Sequence, residues 1–577
     1  MKLLVIILIC LNFESFSQLT EKDLSNKGLK IIQNTDIIRS NEKRITNSIP
    51  PETDIDVAIN PLDDNNLILT SIQHRLNNSE DSYLMPIFYS HDNGRNWARS
   101  NFRLLPKDEY RVILNASSPC IDFTQRGLAI LSWSVTFLEQ KFPGVDSIYH
   151  QLLFAYSLNG GESWQENFSN SLISESGIRD PAKPNQGSFV RYSDIQILSD
   201  TIKKEDYIFF NEFRYDKISN TKFHIYRLDG LFFRKYYTDS LITNEYVAST
   251  NYDCIIDSSG YLNCVFLSFN EKLNISLAKI DFQKGRLLLL NDVSEVNYTG
   301  GFYFPGAFSS NLIGLNGSYF APTPKFILLE NNYHIIWNSS GLESQLFNHN
   351  IYYTRTNNAG EVLTPKIINN NINGFQFNPD INFALDGRLY VSYYEINSPI
   401  DSSSANINIT YSEDWGNSFY SPVQVNYKSS DYNNAGDRNF DYGVGLNSGL
   451  KSNSNQLFQF WTDGRTNDGN FEVYLTQLPL NQDLDTYVNE INKNIKIEGP
   501  SITNNTFTFV VTSKVQINSL VYISNQLGQK IIQTKYDRLL AGENYYDFNL
   551  SAYPSGIYYF VSTSPLGNFS IPFFNNK

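Results

Sequence analysis

The sequence predicts an all-β protein: a β-propeller of six to eight blades, with seven as the favoured number, followed by a small C-terminal β-sandwich. Three observations support this prediction. The 577 residues include 37 Tyr and 40 Phe, which favour half-buried pleated surfaces. Strand-like segments recur in a degenerate repeat of the kind that propellers show. The repeat stops near residue 480, where a different pattern begins.

The repeat consists of a short apolar strand, a second strand that often ends in an aromatic residue, and a third strand that leads into a turn. Seven starts are visible, at 53–60, 119–123, 192–198, 252–257, 324–329, 379–385 and 441–446. The second strands follow at 66–72, 126–133, 206–213, 260–267, 332–337, 387–394 and 456–461. We expect Trp133, Trp337, Tyr393 and Trp461 to pack between neighbouring sheets. The last repeat is one strand short, and GLKIIQ at 28–33 is the predicted source of the missing strand.

The N-terminal segment MKLLVIILICLNFESFSQ combines a Lys, an apolar run and small residues. This pattern predicts a secretory signal at 1–17, and Ile9 before Cys10 disfavours a lipoprotein signal. No later apolar run reaches the ~18 residues that span a bilayer. We therefore expect a secreted or outer-surface protein that passes through the periplasm. The predicted divisions are the propeller at 18–480, a linker at 481–498 and the C-terminal domain at 499–577.

The charge balance limits the partners. The chain has 45 Lys and Arg against 59 Asp and Glu, a net charge of -14, which repels phosphate backbones. We expect no nucleic-acid partner and a monomeric protein. No HExxH, Gly-x-Ser-x-Gly or phosphate-loop motif occurs, so metalloprotease, serine-hydrolase and nucleotide-hydrolase functions lose their usual support.

An eight-residue motif occurs three times, as SHDNGRNW, SLNGGESW and SEDWGNSF. Its short polar side chains can bond backbone amides within a tight turn, its Gly tolerates positive φ, and its last aromatic residue has a large face to bury. We therefore interpret the motif as structural rather than catalytic. Its members are Ser90, Asp92, Gly94 and Trp97; Ser157, Asn159, Gly161 and Trp164; and Ser412, Asp414, Gly416 and Phe419.

These motifs resemble the Asp boxes, or BNR repeats, of the sialidase superfamily. The resemblance covers roughly residues 50 to 480 and implies a propeller with the boxes on its rim, away from an active site. In a retaining sialidase it also implies three Arg that bind a carboxylate, a Tyr–Glu nucleophile pair and an Asp acid/base. Of such a set, the sequence offers Glu212 and Arg214 in FFNEFRYD and Arg465 in FWTDGR. The alternative for these three is a surface or inter-blade salt bridge, which we favour.

Acidic residues recur at the strand starts: Asp54, Asp56, Asp122, Asp194, Asp253, Asp380 and Asp441. Near a central channel they could line a polar site for sugar or calcium, but we favour turn capping or contact with channel water. No specific motif supports calcium, and no cofactor or metal site is predicted.

The turn in YDCIIDSSGYLNCVF places Cys254 opposite Cys264, which leaves a disulfide and two buried thiols as equal alternatives. Cys120 is expected to be a small core residue.

The C-terminal segment contains strand signals separated by Leu-Gly-Gln-Lys, Gly-Glu-Asn, Asn-Leu-Ser and Pro-Ser-Gly-Ile-Tyr-Tyr. Composition alone predicts a small β-sandwich. The order of the motifs resembles the type IX secretion C-terminal sorting domain (type A), which implies recognition by the type IX secretion machinery at an outer membrane. The residues that carry the resemblance are Gly528, Gly542, Pro554, Gly556 and Tyr558. The alternative is an ordinary carbohydrate-binding or immunoglobulin-like module.

Two functions remain open from the sequence. The first is a sialidase-like protein that either cleaves glycans as a glycoside hydrolase or binds them. The second is a non-catalytic adhesin or interaction scaffold that uses Tyr- and Asn-rich loops such as SSGLESQLFNHN. A propeller hosts either function, so only the site can decide between them.

Overall fold

All 39 named elements of the described chain are strands. The structure is a computed structural model, and it describes residues 42–47, 52–74, 83–102, 111–142, 145–166, 173–179, 190–214, 222–238, 242, 248–296, 322–329, 331–340, 349–357, 359–372, 374–396, 404–431, 448–465, 471–480, 495–503, 506–513, 517–525, 530–533, 537–540, 542–564 and 567–575. The chain divides into two compact bodies: a larger one of 43–420 and 428–478, and a smaller one of 1–42, 421–427 and 479–577. The prediction of an all-β protein is confirmed.

The described part of the larger body contains seven antiparallel groups of strands. After β1 (Glu42–Arg44), which belongs to group 7, group 1 has β2 (Glu52–Asn60), β3 (Asp63–His74), β4 (Tyr83–Leu84), β5 (Ile87–Ser90) and β6 (Ala98–Arg99). Group 2 has β7 (Arg111–Phe123), β8 (Ala129–Phe142), β9 (Val145–Ser157), β10 (Gln165–Glu166) and β11 (Ile173–Arg179). Group 3 has β12 (Val190–Asp200), β13 (Glu205–Arg214), β14 (Lys222–Asp229) and β15 (Phe232–Thr238). Group 4 has β16 (Ala248–Ile256), β17 (Leu262–Asn270), β18 (Lys272–Asp281) and β19 (Arg286–Glu295).

Groups 5 and 6 share one sheet, in which a single parallel pair, His349 with Phe375, joins them. Group 5 has β20 (Lys325–Leu329), β21 (Asn332–Ser340), β22 (His349–Asn357) and β23 (Lys366–Ile367). Group 6 has β24 (Phe375–Phe383), β25 (Leu389–Ile396) and β26 (Ser404–Ser412), while β27 (Val423–Gln424) falls in the smaller body and β28 (Ser430–Asp431) pairs with β26. Group 7 has β29 (Gly449–Ser452), β30 (Gln456–Asp463), β31 (Glu472–Pro479) and β1. The predicted start at 441–446 lies outside the described residues.

The first strands of the groups contact one another in a cycle. β2 packs on β7, β7 on β12, β12 on β16, β16 on β20, β20 on β24, β24 on β29, and β29 on β2 again. In each group, the first strand is therefore the one that contacts the first strands of the preceding and following groups. The predicted second strands overlap the observed second strands in all seven groups, with the largest difference in group 2, where β8 extends to Phe142.

Polar side chains connect successive first strands. The Asp56 carboxylate accepts a hydrogen bond from the Ile121 amide at 2.8 Å, and Asp253 and Asp380 accept from the amides of Phe326 at 2.9 Å and Leu450 at 2.8 Å. Between groups 3 and 4, a Gln occupies this position, and its side-chain oxygen accepts from the Cys254 amide at 2.8 Å. Each bond satisfies a backbone donor of the following first strand.

The same bulge recurs in five first strands. In each, two residues of the first strand lie opposite one residue of the second strand, and the first of the two has a left-handed backbone, with φ of 47° to 55°. Asn and Asp tolerate this conformation better than other non-glycine residues. The five residues are Asp54, Ser118, Asp194, Asn251 and Asn378. The repeat of the sequence is therefore also a repeat of backbone conformation.

The core lies between neighbouring groups. Trp133, Tyr393 and Trp461 have 0% of their surface exposed and Trp337 has 1%, which confirms their predicted burial. Ring pairs such as Trp337 with Tyr352, stacked at 5.8 Å, fill the space. Aromatic packing of this kind stabilises the layers beyond simple burial of area.

Group 7 is completed by a segment from the beginning of the chain, but it is β1 rather than residues 28–33. The Ile45 amide donates to the Val473 carbonyl at 2.8 Å, and β1 occupies the edge next to β31. The prediction that GLKIIQ supplies this strand is therefore wrong, and 28–33 itself lies outside the described residues. The strand β1 has the short polar sequence EKR, so no apolar pattern indicates it. Side-chain hydrogen bonds to Glu472 hold this segment in place.

The smaller body has two sheets around one core. One sheet contains β32 (Ile495–Thr503), β33 (Thr506–Ser513) and β37 (Gly542–Asn549); the other contains β34 (Ile517–Asn525), β35 (Lys530–Gln533), β36 (Asp537–Leu539), β38 (Gly556–Ser564) and β39 (Gly567–Asn575). Phe509 of the first sheet stacks on Phe560 of the second at 4.2 Å. β32 begins inside the range that the sequence assigned to the linker.

Candidate functional site

The three eight-residue motifs form closed turns. In the first, the Ser90 hydroxyl donates to Asp92 at 2.9 Å and accepts from the Gly94 amide at 2.9 Å, and Asp92 accepts from the Asn96 amide at 2.8 Å. The Trp97 indole donates to the Gly94 carbonyl at 3.2 Å. The same hydroxyl and carboxamide or carboxylate bonds recur at Ser157, Asn159, Gly161 and Trp164 and at Ser412, Asp414 and Gly416, and Phe419 contacts the core between groups 5 and 6. The polar groups of the motif are thus occupied within its own turn.

The turns lie at one end of the groups, and a set of buried polar residues lies at the other. Ser90 pairs with Leu67 near the beginning of β3, whereas Gln73 lies near its end. The amides of Ile121, Cys254, Phe326 and Leu450, which donate the connecting hydrogen bonds described above, mark one equivalent position on the first strands. In every group, the residue four places after the second-strand partner of this position lies at the same level. We name this set the polar ring: Gln73, Glu212, Ser268, Ser339, Glu395 and Asp463, with Val135 in group 2.

The polar ring is buried, with exposures from 0% to 7%. Buried polar groups of this kind need partners, and three carboxylates of the ring have three different ones. Glu212 contacts His224 Nε2 at 3.0 Å, and Asp463 accepts from Arg465 Nε at 2.8 Å. Glu395 accepts from the Asn408 side-chain amide at 3.1 Å. One level of the fold thus holds carboxylates beside an imidazole, a guanidinium and neutral amides.

Of the three carboxylates of the polar ring, Glu395 lies in the environment that most favours a neutral carboxyl group. Burial raises its pKa, while hydrogen bonds from the side chains of Gln376, Asn371 and Asn408 partly offset the rise. Within the described residues, no Lys or Arg forms an ion pair with it. A raised pKa favours the protonated form of the carboxyl group, which is the form that a general acid needs.

Groups 6 and 7 are joined at this level. The Thr462 amide donates to the Tyr394 hydroxyl at 3.0 Å, and the Gly464 amide donates to the Ser430 hydroxyl at 2.7 Å. Because Tyr394 precedes Glu395 and Thr462 precedes Asp463, these bonds hold two carboxylate-bearing strands side by side. Arg465 also lies 4.4 Å from the centre of the Tyr474 ring.

The residues that the sequence singled out are therefore distributed over two groups. Glu212 and Arg214 lie on β13 of group 3, and Arg465 follows β30 of group 7. Glu212 pairs with His224 and Arg465 with Asp463, and each pair is largely buried within its own group rather than on the surface or between groups. The side chain of Arg214 lies outside the described residues. Their catalytic assignment stays a prediction.

Sequence reasoning missed Glu395 and Asp463. The signal that points to them is the alignment of the second strands, in which YYE and WTD occupy the same place as FNE. It is visible only once the bulges of the first strands have fixed the register.

The acidic strand starts form a separate charged cluster. Asp56, Asp253 and Asp380 connect the groups as described, and Lys325 and Lys451 lie among them. Although burial lowers the pKa of both lysines, attraction to these carboxylates outweighs it and raises the pKa overall. In the described ranges, no group of three or more His, Cys, Asp or Glu could hold a metal ion. Asp441 lies outside the described residues.

Asp122 provides a pH prediction. Burial raises its pKa from 3.8 to about 6, partly offset by Lys451. Because the folded pKa is higher than the unfolded one, this group's stability contribution is fully present below pH 3.8 and is lost as pH rises through 6. At ~1.36 kcal/mol per pKa unit, the loss is about 3 kcal/mol. We expect Asp122→Asn to gain stability relative to wild type by this order between pH 4 and pH 8, as measured by urea unfolding. A difference that stays constant with pH would contradict this assignment.

Cys254 and Cys264 face each other in the register of β16 and β17, as predicted. Their sulfur atoms are 3.0 Å apart, and both residues are buried free thiols in the structure. Burial also raises the pKa of the Cys254 thiol. The disulfide stays a prediction. Cys120 is buried in the core, as expected.

The motif residues of the smaller body lie in turns and strands. Gly542 begins β37 with a φ of 108°, and the Tyr558 hydroxyl donates to the Pro554 carbonyl at 2.8 Å. Gly556 begins β38. Gly528 lies outside the described residues. No helix of the described chain is long and apolar enough to cross a membrane.

Comparison with known proteins finds no family model that matches and no curated protein that matches. Solved structures are remotely similar. The α-L-arabinofuranosidase Arb93A of Fusarium graminearum has 9% identity and a TM-score of 0.37, over 77% of this chain and 98% of that one. The polysaccharide lyase Uly1 has 12% identity and a TM-score of 0.39, over 76% and 91%. A Dyadobacter fermentans protein of unknown function has 11% identity and a TM-score of 0.36, over 63% and 95%. Likeness at this level transfers neither substrate nor site residues.

Proposed function

We propose that this chain is a seven-bladed propeller of the sialidase superfamily that acts on glycans, with its site at the polar ring where groups 6 and 7 meet. The cycle of first strands and the box turns support the propeller. The observation that supports the site is the pair of carboxylates, Glu395 and Asp463, which occupy equivalent positions on neighbouring groups but lie in opposite environments. One carboxyl group among neutral amides and a second one paired with a guanidinium form an arrangement suited to acid and base roles.

The roles follow from the contacts. Glu395, surrounded by neutral amides, is the proton donor to the leaving oxygen of a glycosidic bond. Asp463, whose carboxylate accepts from Arg465, either orients a water molecule or stabilises positive charge on the sugar ring. Arg465 and Tyr474 provide a cation and a flat ring beside it. Glu212 and Arg214 remain candidates on group 3.

The same proposal includes delivery to the cell exterior. The signal at 1–17 leads to export, and the two-sheet C-terminal body, interpreted as a β-sandwich sorting domain, is recognised by the type IX secretion machinery. Its support is the order of the motifs in the sequence together with the common core of the two sheets. Secretion of a reporter fused to residues 481–577 in a type IX-competent host, and its retention in a type IX-deficient host, would test this part.

We expect Glu395→Gln to lower kcat on the best substrate of a fluorogenic glycoside panel by at least ~10²-fold, because it removes the transferable proton and keeps the shape. The panel includes sialosides and arabinofuranosides, and the full chain is used. The control is Glu205→Gln. Glu205 lies in group 3 at the end that is opposite the polar ring, and its carboxylate forms an ion pair with Arg227 at 3.2 Å. The control is expected to retain wild-type turnover.

The experiment also separates hydrolysis from binding alone. Equal loss in both variants would point to a folding defect and remove Glu395 from the mechanism. If the folded wild-type protein cleaves no glycoside but binds glycans on an array, the hydrolase version is wrong and the adhesin alternative gains support.

A further inference from the structure

The box turn of group 6 has an unusual residue at one position. Between the Asp or Asn and the Gly of the motif, group 1 has Asn93, group 2 has Gly160 and group 6 has Trp415, with φ of 62°, 67° and 60°. Asn93 uses its side chain to bond Asn453 at 2.7 Å and Gln456 at 3.1 Å, which connects groups 1 and 7. Trp415 instead leaves 41% of its surface exposed. A bulky residue with a left-handed backbone is uncommon and directs attention to function.

The turn that carries Trp415 is held from both sides. Its own Asp414 accepts from the Ser418 amide at 2.8 Å. From group 5, Arg355 Nη1 donates to the Trp415 carbonyl at 3.1 Å, and Lys366 Nζ donates to the Gly416 carbonyl at 2.5 Å. The indole is therefore presented on a fixed backbone, and a ligand would not have to order it.

Contact with the core explains only part of the Trp415 position. One side of the indole lies against Phe383, with ring centres 5.6 Å apart and planes tilted by 31°. The exposed part of the indole remains free for a flat partner, and the neighbouring Leu385 is 79% exposed. An exposed aromatic face on a rigid turn is suited to stacking against the C–H face of a sugar ring.

Two cations lie beside this face, although the chain as a whole has a net charge of -14. Lys366 is attracted to Asp414 of the same turn, whereas no ion pair of Arg355 is found among the described residues. Arg355 uses its described hydrogen bonds for the Trp415 carbonyl and the Asn417 side chain, which leaves donors of its guanidinium unused. A guanidinium with free donors selects a carboxylate, because it can bind both oxygens.

We propose that Trp415, Phe383 and Arg355 form a binding site for an acidic sugar, in which the ring stacks on Trp415 and its carboxylate binds Arg355. The site lies at the box end of group 6, opposite the polar ring. It does not depend on the proposed activity at the polar ring. The chemical class of ligand is a glycan that contains hexuronate-type residues.

The test is a fluorescence titration of the full chain with a galacturonate trimer at low salt, and with the fully methyl-esterified trimer as the neutral analogue. We expect the acidic trimer to bind more tightly than the neutral one. Trp415→Ala is expected to raise the Kd at least ~10-fold, and Trp415→Phe, which keeps a stacking ring, to retain most of the affinity. Arg355→Gln should remove the preference for the acidic trimer, a change of about 10-fold. Because some variants lack the indole, the binding is followed in parallel by calorimetry.

The matched control is Tyr420→Ala, which removes an aromatic residue of similar exposure, 45%, beyond the same turn. It is expected to bind as wild type does. Equal affinity for both trimers, wild-type affinity in Trp415→Ala, or no binding by the wild-type protein would each overturn the proposal. If Trp415→Ala does not fold, Arg355→Gln decides the question. Turnover of glycosides is measured on the same variants and is expected to stay unchanged, which separates this site from the polar ring.

Discussion

Replacing Glu472 with Ala is expected to lower the free energy of unfolding by about 2–4 kcal/mol. The Glu472 carboxylate has 0% exposure and accepts from Arg44 Nη2 at 2.6 Å and from the Thr46 hydroxyl at 2.6 Å. Removing it leaves the buried Thr46 without this partner and releases β1 from β31. The lower part of the range reflects the 33% exposure of Arg44, which can turn to water.

This experiment has a control within the chain. Lys272 and Glu295 form an ion pair at 2.7 Å with both side chains more than half exposed. Glu295→Ala should cost less than ~1 kcal/mol, because exposed pairs are screened by water and salt. Chemical unfolding of the two variants, followed by tryptophan fluorescence, measures the difference. Similar losses in the two variants would show that β1 does not hold group 7 closed.

Replacing Gly416 with Ala should be among the most damaging single-methyl changes in the larger body. Gly416 has a φ of 78°, and an added Cβ would lie 1.7 Å from the Tyr353 hydroxyl. Tyr353 is 2% exposed, and its hydroxyl is hydrogen-bonded to His334 Nδ1 at 2.8 Å, so it cannot move without further loss. We expect a destabilisation of about 3 kcal/mol or more.

Gly387→Ala isolates the backbone part of that cost. Gly387 has a φ of 83°, but no atom lies within 4 Å of an added Cβ. Its replacement should cost only the left-handed backbone term of about 1–2 kcal/mol. The difference between the two variants in thermal or urea unfolding measures the steric conflict with Tyr353. If both variants lose the same stability, the close approach at Gly416 has no energetic role.

The two proposed glycan contacts lie at opposite ends of the groups, and the box motifs explain why. Each box uses its Ser and Asp within its own turn, so the motif contributes geometry rather than chemistry. The residue immediately before the motif Gly takes no part in these Ser and Asp bonds. Its side chain can therefore serve another function, as proposed for Trp415. At the polar ring, in contrast, the side chains come from strand ends whose backbone bonding is already complete.

Local patterns in the sequence were sufficient for the strands and turns. Alternating apolar residues and recurrent aromatic residues indicated the second strands of all seven groups, and the eight-residue motif indicated turns that the structure shows as closed. These features depend on neighbours within about ten residues, so they are readable without knowledge of the fold. The facing positions of Cys254 and Cys264 were likewise readable, because a short turn fixes their register.

Long-range pairing was decided only by the tertiary structure. β1 meets β31 across more than four hundred residues through side-chain bonds to Glu472, and a three-residue polar strand has no periodicity that could reveal this. The polar ring depends on the bulges at Asp54, Ser118, Asp194, Asn251 and Asn378, since each bulge shifts the register between first and second strands. Glu395 and Asp463 reach equivalent positions on groups 6 and 7 only through that shift. Sequence periodicity determined which residues form strands, whereas burial and register determined which of their polar side chains meet.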